Sequence, residues 1–247
     1  HSHLLPGIDD GCATFEQTLE CIDRLKATGY TGTICTPHIW PRHLPNNTPA
    51  TIQQRVAQLR SDLAKAGVDY AIWPGGELQL FENAVEWMQN HGVPTLADSR
   101  CVLTDYWGDA WPDWAPSIDR GLMDNGYQPI LAHPERMPFA GDPEFDQTLR
   151  DLEAMGVWLQ GNFRCMTGEE GYVADQFVRK LLGEQRYRFM AMDMHGPDTL
   201  DGRFDGLSLV EAEAGADVVD AFTVVAPRRD ILTPAAIGSR PRLTRNG

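Results

Sequence analysis

The sequence begins HSHLLPGIDDG, two histidines one residue apart, then a glycine-containing turn and two adjacent aspartates. Side chains two apart on an extended backbone share one side, so His1 and His3 can address one cation. Asp193 and His195 in FMAMDMH repeat that spacing. Between them, single metal-competent residues close strand-like runs: His38 after TICTP, Glu77 after AIWPGG, Asp105 after VLT and His133 after PILA. Gly7 and Gly11 let the first loop turn so that Asp10 reaches the same rim. A donor set of imidazoles and carboxylates without thiolate suits divalent Zn, Mn or Fe. Taken singly, His38 or His133 reads more readily as a hydrogen-bonded structural residue, and only the number of candidates at matching positions reverses that. His43 in PRHLPNN and His91 in NHGVP lack the pattern and read as solvated or helix-end histidines.

These residues need a scaffold with many parallel strand ends, and the apolar spacing describes one. Phe15, Leu19, Ile22 and Leu25 mark a helix over 14–27, and Ile52, Val56, Leu59 and Leu63 mark another that Thr48 caps and Gly67 ends. Further helices are expected near 82–90, 116–125, 142–156 and 171–183, alternating with the extended runs YTGTICTPH, DYAIWPGGE, VLTDY, PILAHPER, VWLQGN and RYRFMAMDMH. Alternation of this kind implies right-handed crossovers and a parallel sheet whose C-terminal edge carries the site. At 247 residues, one domain spanning 1–247 and closed into a barrel is expected. The loop WGDAWPDWAP, with three tryptophans, reads as a packed cover over the barrel mouth.

Composition removes several classes of function. The net charge is -14, with 35 acidic against 21 basic residues and no clustered Lys and Arg, so nucleic acid is not an expected partner. No apolar run approaches the roughly 18 residues of a membrane span, so no membrane insertion is expected. Five widely spaced cysteines without CxxC fit reduced thiols in the cytoplasm. No cysteine is followed six residues later by arginine, which excludes the loop of cysteine-based tyrosine phosphatases.

The ordered motifs HSHLLPGIDDG, TPH, GGE, PTLADSRCVLTDY, LAHPER, DMHG and APRRDIL, from His1 to about Leu232, resemble the PHP (polymerase and histidinol phosphatase) domain. Within it they are most similar to the bacterial PHP-type, metal-dependent protein tyrosine phosphatases of capsule and exopolysaccharide systems. HxH alone is shared with amidohydrolases; HPER together with DMH is the specific part. The resemblance implies a distorted TIM-like (β/α)7 barrel of PHP type holding three divalent metal ions (Mn, Fe or Zn). The implied ligands are His1, His3, Asp10, His38, Glu77, Asp105, His133, Asp193 and His195, with Glu77 bridging two metals. Arg136 of HPER and Arg203 of DGR would bind phosphate; no general acid is assigned, although Asp10 or a histidine not bound to metal could serve as one. The implied substrate is a phosphotyrosine protein, typically a bacterial tyrosine autokinase.

Three departures stand out. Asp105 replaces the usual glutamate, the sequence starts at His1 where a short strand normally precedes HxH, so that strand is either missing or was processed or trimmed away, and Ala226 replaces an asparagine, a change read as structural.

The chemistry fits the residue types. A phosphate monoester dianion repels hydroxide, and divalent metals both neutralise it and lower the pKa of bound water to about 7, giving a metal-activated hydroxide for in-line attack. Arginine supplies planar bidentate donors to phosphoryl oxygens. Competing readings are a small-molecule phosphomonoesterase of the histidinol-phosphatase type, a non-catalytic metal-binding module, a proofreading nuclease and an amidohydrolase. Glu77 and the absence of a strand-end lysine disfavour the last.

Overall fold

In the computed structural model, residues 1–233 are described. Helices and strands alternate: α1 (Phe15–Ala27), β1 (Gly32–Cys35), β2 (His38–Ile39), α2 (Pro49–Lys65), β3 (Ala71–Pro74), β4 (Glu77–Gln79), α3 (Ala84–His91) and β5 (Cys101–Asp105). They continue with α4 (Ala115–Asp124), β6 (Gln128–Ala132), α5 (Pro143–Met155), β7 (Trp158–Asn162), α6 (Tyr172–Gly183), β8 (Tyr187–Ala191), α7 (Leu200–Ala214) and α8 (Ala216–Asp220). Every ladder between these strands is parallel, and an isolated antiparallel bridge joins Thr95 to Val102. Six strands form one sheet in the order β2-β4-β5-β6-β7-β8, and β1 pairs with β3 in a second. The sheet does not close into a regular barrel among the described residues.

Local chemistry explains the element ends. Thr14 caps α1 by accepting from the Gln17 amide, and Thr48 caps α2 by accepting from the Thr51 amide with Pro49 in the first turn. The α2 stripe Ile52, Val56, Leu59 and Leu63 is fully buried; each side chain contributes about 1.5–3 kcal/mol on leaving water.

The two runs expected as single strands are each interrupted. YTGTICTPH breaks between β1 and β2 at Thr36-Pro37, where proline supplies no amide to the ladder. DYAIWPGGE breaks between β3 and β4 at Gly75-Gly76, where a side chain on Gly76 would come within 2.5 Å of Ile39 Cδ1. His38 and Glu77 therefore begin short strands rather than ending long ones, and they sit opposite each other in register.

The N-terminal segment lies between the two sheets. His3 N donates to Met194 O (2.9 Å), Asp193 N to His1 O (3.1 Å), and on the other side Thr36 N to Ser2 O (2.8 Å). Helices α2, α4 and α5 pack against β3, β6 and β7 respectively. A smaller apolar cluster of Leu103, Ile130, Ala132 and Phe189 is closed by Ala226 and Ile231, so Ala226 serves packing. Past α8 the chain makes two wide helical turns, Ala221–Val225 and Arg228–Leu232, that carry these residues inward.

Candidate metal centre

Two of the candidate residues sit in left-handed backbone, His133 at φ 32° and Asp193 at φ 46°. Non-glycine residues pay about 1–3 kcal/mol for such conformations and keep them where the surroundings over-determine the geometry. Both follow the end of a strand, β6 and β8, and the kink turns each side chain toward the N-terminal histidines.

The result is a tight convergence. His1 Nε2 lies 3.3 Å from His3 Nε2, 3.1 Å from Asp193 Oδ1 and 3.4 Å from Glu77 Oε2. His3 Nε2 is 3.4 Å from Asp193 Oδ1 and 3.5 Å from Glu77 Oε2. Glu77 is central: its Oε1 meets His133 Nε2 at 2.9 Å and its Oε2 meets His38 Nδ1 at 2.8 Å. Asp10 Oδ1 stands 3.4 Å from His38 Nε2 and 3.6 Å from His195 Nε2, and the His195 ring stacks on His3 at 3.8 Å. Three overlapping donor groups result: His3, Asp10, His38 and His195; His1, Glu77 and His133; His1, His3 and Asp193.

The donor chemistry fits divalent cations. Glu77 Oε2 and Asp193 Oδ1 are buried and make no well-aligned hydrogen bond although His38 Nδ1 and His1 Nε2 approach them, while imidazole nitrogens of His1 and His3 face each other beside them. Lone pairs converging on shared points are costly unless positive charge joins them. Protons on the histidines are one source of that charge. Burial alone would lower the His3 pKa, but contacts with Asp193 and Asp9 push it up to about 10. Burial likewise opposes protonation of His133, and Asp105 and Glu77 raise it to about 9. Burial works against ionisation of Glu77 too, yet His133 and His38 hold it well below the usual carboxylate range.

The sequence reading missed the residues that aim these donors. Asp9, not singled out, accepts from His3 Nδ1 (2.7 Å), the His38 amide (3.0 Å) and the Gly11 amide (3.1 Å). With Nδ1 engaged, His3 presents Nε2 to the centre. The Gln160 side-chain amide meets His1 Nδ1 at 2.9 Å, and Asn162 Nδ2 donates to Asp193 Oδ2 at 2.8 Å. Glu135 accepts from the Asn162 amide and from Tyr187 Oη. The doubled aspartate of IDDG was the available signal for Asp9.

Three expected residues sit differently from the rest. Asp105 belongs to none of the donor groups. It pairs in register with Gln79, two residues beyond Glu77, and its nearest approach is 3.7 Å to His133 Nδ1, whereas His133 turns Nε2 toward Glu77. Its other oxygen accepts from Trp107 Nε1, and burial pushes its pKa up to about 6. Arg136 donates from Nη1 to Asp193 Oδ2 at 2.8 Å and stays partly exposed at the rim. Arg203, expected to bind phosphate, is 2% exposed, and all three of its nitrogens donate to backbone carbonyls of Met192, Asp193 and Thr199. It clamps the kinked segment that carries Asp193. The tryptophan loop also divides: Trp111 and Trp114 pack against Tyr106, whereas Trp107 is 55% exposed at the mouth.

The family model for capsular polysaccharide synthesis proteins, CpsB/CapC, matches residues 1–231. The chain belongs to the CpsB/CapC family. Its similarity to individual members is distant but long. Tyrosine-protein phosphatase YwqE of Bacillus subtilis (strain 168) is 26% identical over 220 residues, 88% of this chain and 85% of the relative. Tyrosine-protein phosphatase CpsB of Streptococcus pneumoniae is 25% identical over 242 residues, 94% of this chain and 97% of the relative. A crystal structure from work on YwqE from Bacillus subtilis and CpsB from Streptococcus pneumoniae, described as unique metal-dependent tyrosine phosphatases, superposes with a TM-score of 0.83. That comparison covers 100% of this chain and 98% of the other at 24% identity, a likeness of fold. No described helix is long and apolar enough to cross a membrane.

Proposed function

We propose that this CpsB/CapC family chain is a metal-dependent protein tyrosine phosphatase of PHP type, a single domain built as a distorted seven-stranded barrel. The barrel reading rests on the His1–His3 segment, which hydrogen-bonds to Asp193 and Met194 on one side and Thr36 on the other. The observation that carries the function is the convergence of the His1, His3 and His38 rings on the buried carboxylate oxygens Glu77 Oε2 and Asp193 Oδ1.

His1, His3, Asp10, His38, Glu77, His133, Asp193 and His195 would hold up to three cations, Mn, Fe or Zn, with His1 and His3 each shared between two donor groups, Glu77 offering one oxygen toward His38 and the other toward His133, and Asp105 at the margin. Such cations, when bound, supply neutralising charge and a nucleophile at neutral pH. The protein's own residues orient the reaction. Asp9, Gln160 and Asn162 hold the donors in place. Arg136, fixed on Asp193 at the rim, offers its remaining donors to an equatorial phosphoryl oxygen, an interaction that strengthens as charge develops. Arg203 is a positioning residue for Asp193 rather than a phosphate contact. The leaving phenol has a pKa of about 10, so a dedicated proton donor is dispensable, and Asp10 serves the cation group.

The natural substrate would be a phosphotyrosine protein such as a tyrosine autokinase of the capsule machinery. The five cysteines, all free and buried, support a reducing, cytoplasmic setting. The test is a side-by-side kinetic comparison on the Mn-loaded protein. Higher kcat/KM for a phosphotyrosyl peptide than for histidinol phosphate is expected; the reverse order, or no turnover with Mn, Fe or Zn, overturns the proposal.

A further inference from the structure

Trp107 divides the mouth of the site into two depressions of different chemistry. On one side lie Asp105, Asp109, His133, Arg136 and Pro138. On the other is a cleft of about 270 Å³ lined by Asp10, His38, Trp40, His43, Leu44, Gln79 and Trp107. Two of these, Asp10 and His38, belong to one donor group of the centre together with His3 and His195. Gln79 aside, its other walls are aromatic or apolar. The Trp40 and Trp107 rings stand 5.9 Å apart at 42°, His43 lies against Trp40 at 3.8 Å, and Trp107 meets His38 edge-on at 6.1 Å. Trp107 is held in place through its indole N–H, which donates to Asp105. An exposed tryptophan pinned from behind presents a fixed face to whatever enters.

We infer that the Trp40–His43–Trp107 cleft is the subsite for the aromatic ring of the substrate, making the centre selective for aryl over alkyl phosphates. The inference rests on the phosphomonoesterase reading of the centre. A phosphoryl group seated over Asp10 and His38 places the next group of the ester, one oxygen away, inside the cleft. A phenyl ring there meets ring faces and edges and the Leu44 side chain, and leaves water. A short alkyl group reaches none of these walls. The depression beyond Trp107 is a poorer site for the ring because it lacks the paired Trp40 and Trp107 faces. Arg136 can still reach the phosphoryl oxygens from that side.

The test is calorimetric binding of phenylphosphonate and methylphosphonate, both non-hydrolysable, to the Mn-loaded full chain. About a tenfold preference for phenylphosphonate is expected, the size of one well-packed aromatic contact. Trp40→Ala should reduce the preference severalfold with the metal content of the protein retained, and Trp40→Phe should keep it. Leu44→Ala provides a second wall variant should Trp40→Ala fail to fold. Equal binding of the two phosphonates by the wild type, or an unchanged preference in Trp40→Ala or Leu44→Ala, overturns the inference while leaving the phosphatase reading intact. Failure to bind either phosphonate, with no turnover of phosphotyrosyl peptide, overturns both.

Discussion

Asp9→Asn isolates the orientation of His3 from the donors themselves. In the wild type, Asp9 Oδ2 takes the His3 Nδ1 proton at 2.7 Å and the His38 amide at 3.0 Å, while Oδ1 takes the Gly11 amide at 3.1 Å. Burial alone would raise the Asp9 pKa, but the His3 hydrogen bond and charge together with the His38 and Gly11 amides outweigh it and lower it, so the carboxylate is ionised where it is needed. A hydrogen bond to a charged partner is worth about 1.5–3 kcal/mol, or roughly ten- to a hundredfold in an equilibrium constant. The same range is found when a carboxylate behind a metal-bound histidine is removed. Asparagine keeps the volume but has one acceptor where aspartate has two, and its amide nitrogen would face another donor. The assay is calorimetric titration of chelator-stripped protein with Mn, with thermal unfolding of the metal-free form run in parallel to separate loss of fold from loss of affinity. Cation affinity should fall about ten- to a hundredfold. Affinity within twofold of wild type would refute the reasoning that His3 is aimed through Asp9.

Other substitutions probe the scaffold. Arg203→Lys should destabilise the protein by about 2–4 kcal/mol in urea unfolding, because one ammonium replaces a fork serving three buried carbonyls; unchanged stability with a raised KM would instead make it a phosphate ligand. Gly206→Ala puts a methyl 1.9 Å from Phe163 O, so α7 must retreat, at a cost of about 1–3 kcal/mol; a melting temperature within a degree of wild type would contradict that packing. Asp119 on α4 is buried with an unpartnered Oδ1, and burial raises its pKa from 3.8 to about 7. Below 3.8 both states are protonated and nothing is lost; above it the unfolded state ionises first, so stability falls until the folded carboxyl ionises near 7. Between pH 5 and 8 the wild type should lose about 2.5 kcal/mol that Asp119→Asn does not. Parallel pH profiles of the two proteins in urea unfolding would contradict this.

The sequence disclosed most of what periodicity can disclose. Helices with a four-residue apolar stripe, such as α1 and α2, were legible within a residue or two, and so was the alternation with strands. Helix α7 was not, because the face it buries is Leu200, Arg203, Gly206 and Val210. An arginine and a glycine carry no apolar signal, although one clamps carbonyls and the other allows close approach to Phe163. The breaks at Thr36-Pro37 and Gly75-Gly76 were similarly hidden inside runs that look continuous. At the site, residue type identified the central donors because histidines and carboxylates at strand ends are rare enough to notice. Type could not distinguish Asp9 from Asp10, which adjacent positions send in different directions, one beneath His3 and one toward His38 and His195. It also could not reveal that Asp105 pairs in register with Gln79, two residues past Glu77.

The most direct test of the central claim is anomalous diffraction from crystals of the protein loaded with Mn. Cations are expected within coordination distance of donor atoms of His1, His3, Glu77 and Asp193. Anomalous peaks elsewhere, or none at these side chains in crystals grown with excess cation, would contradict it.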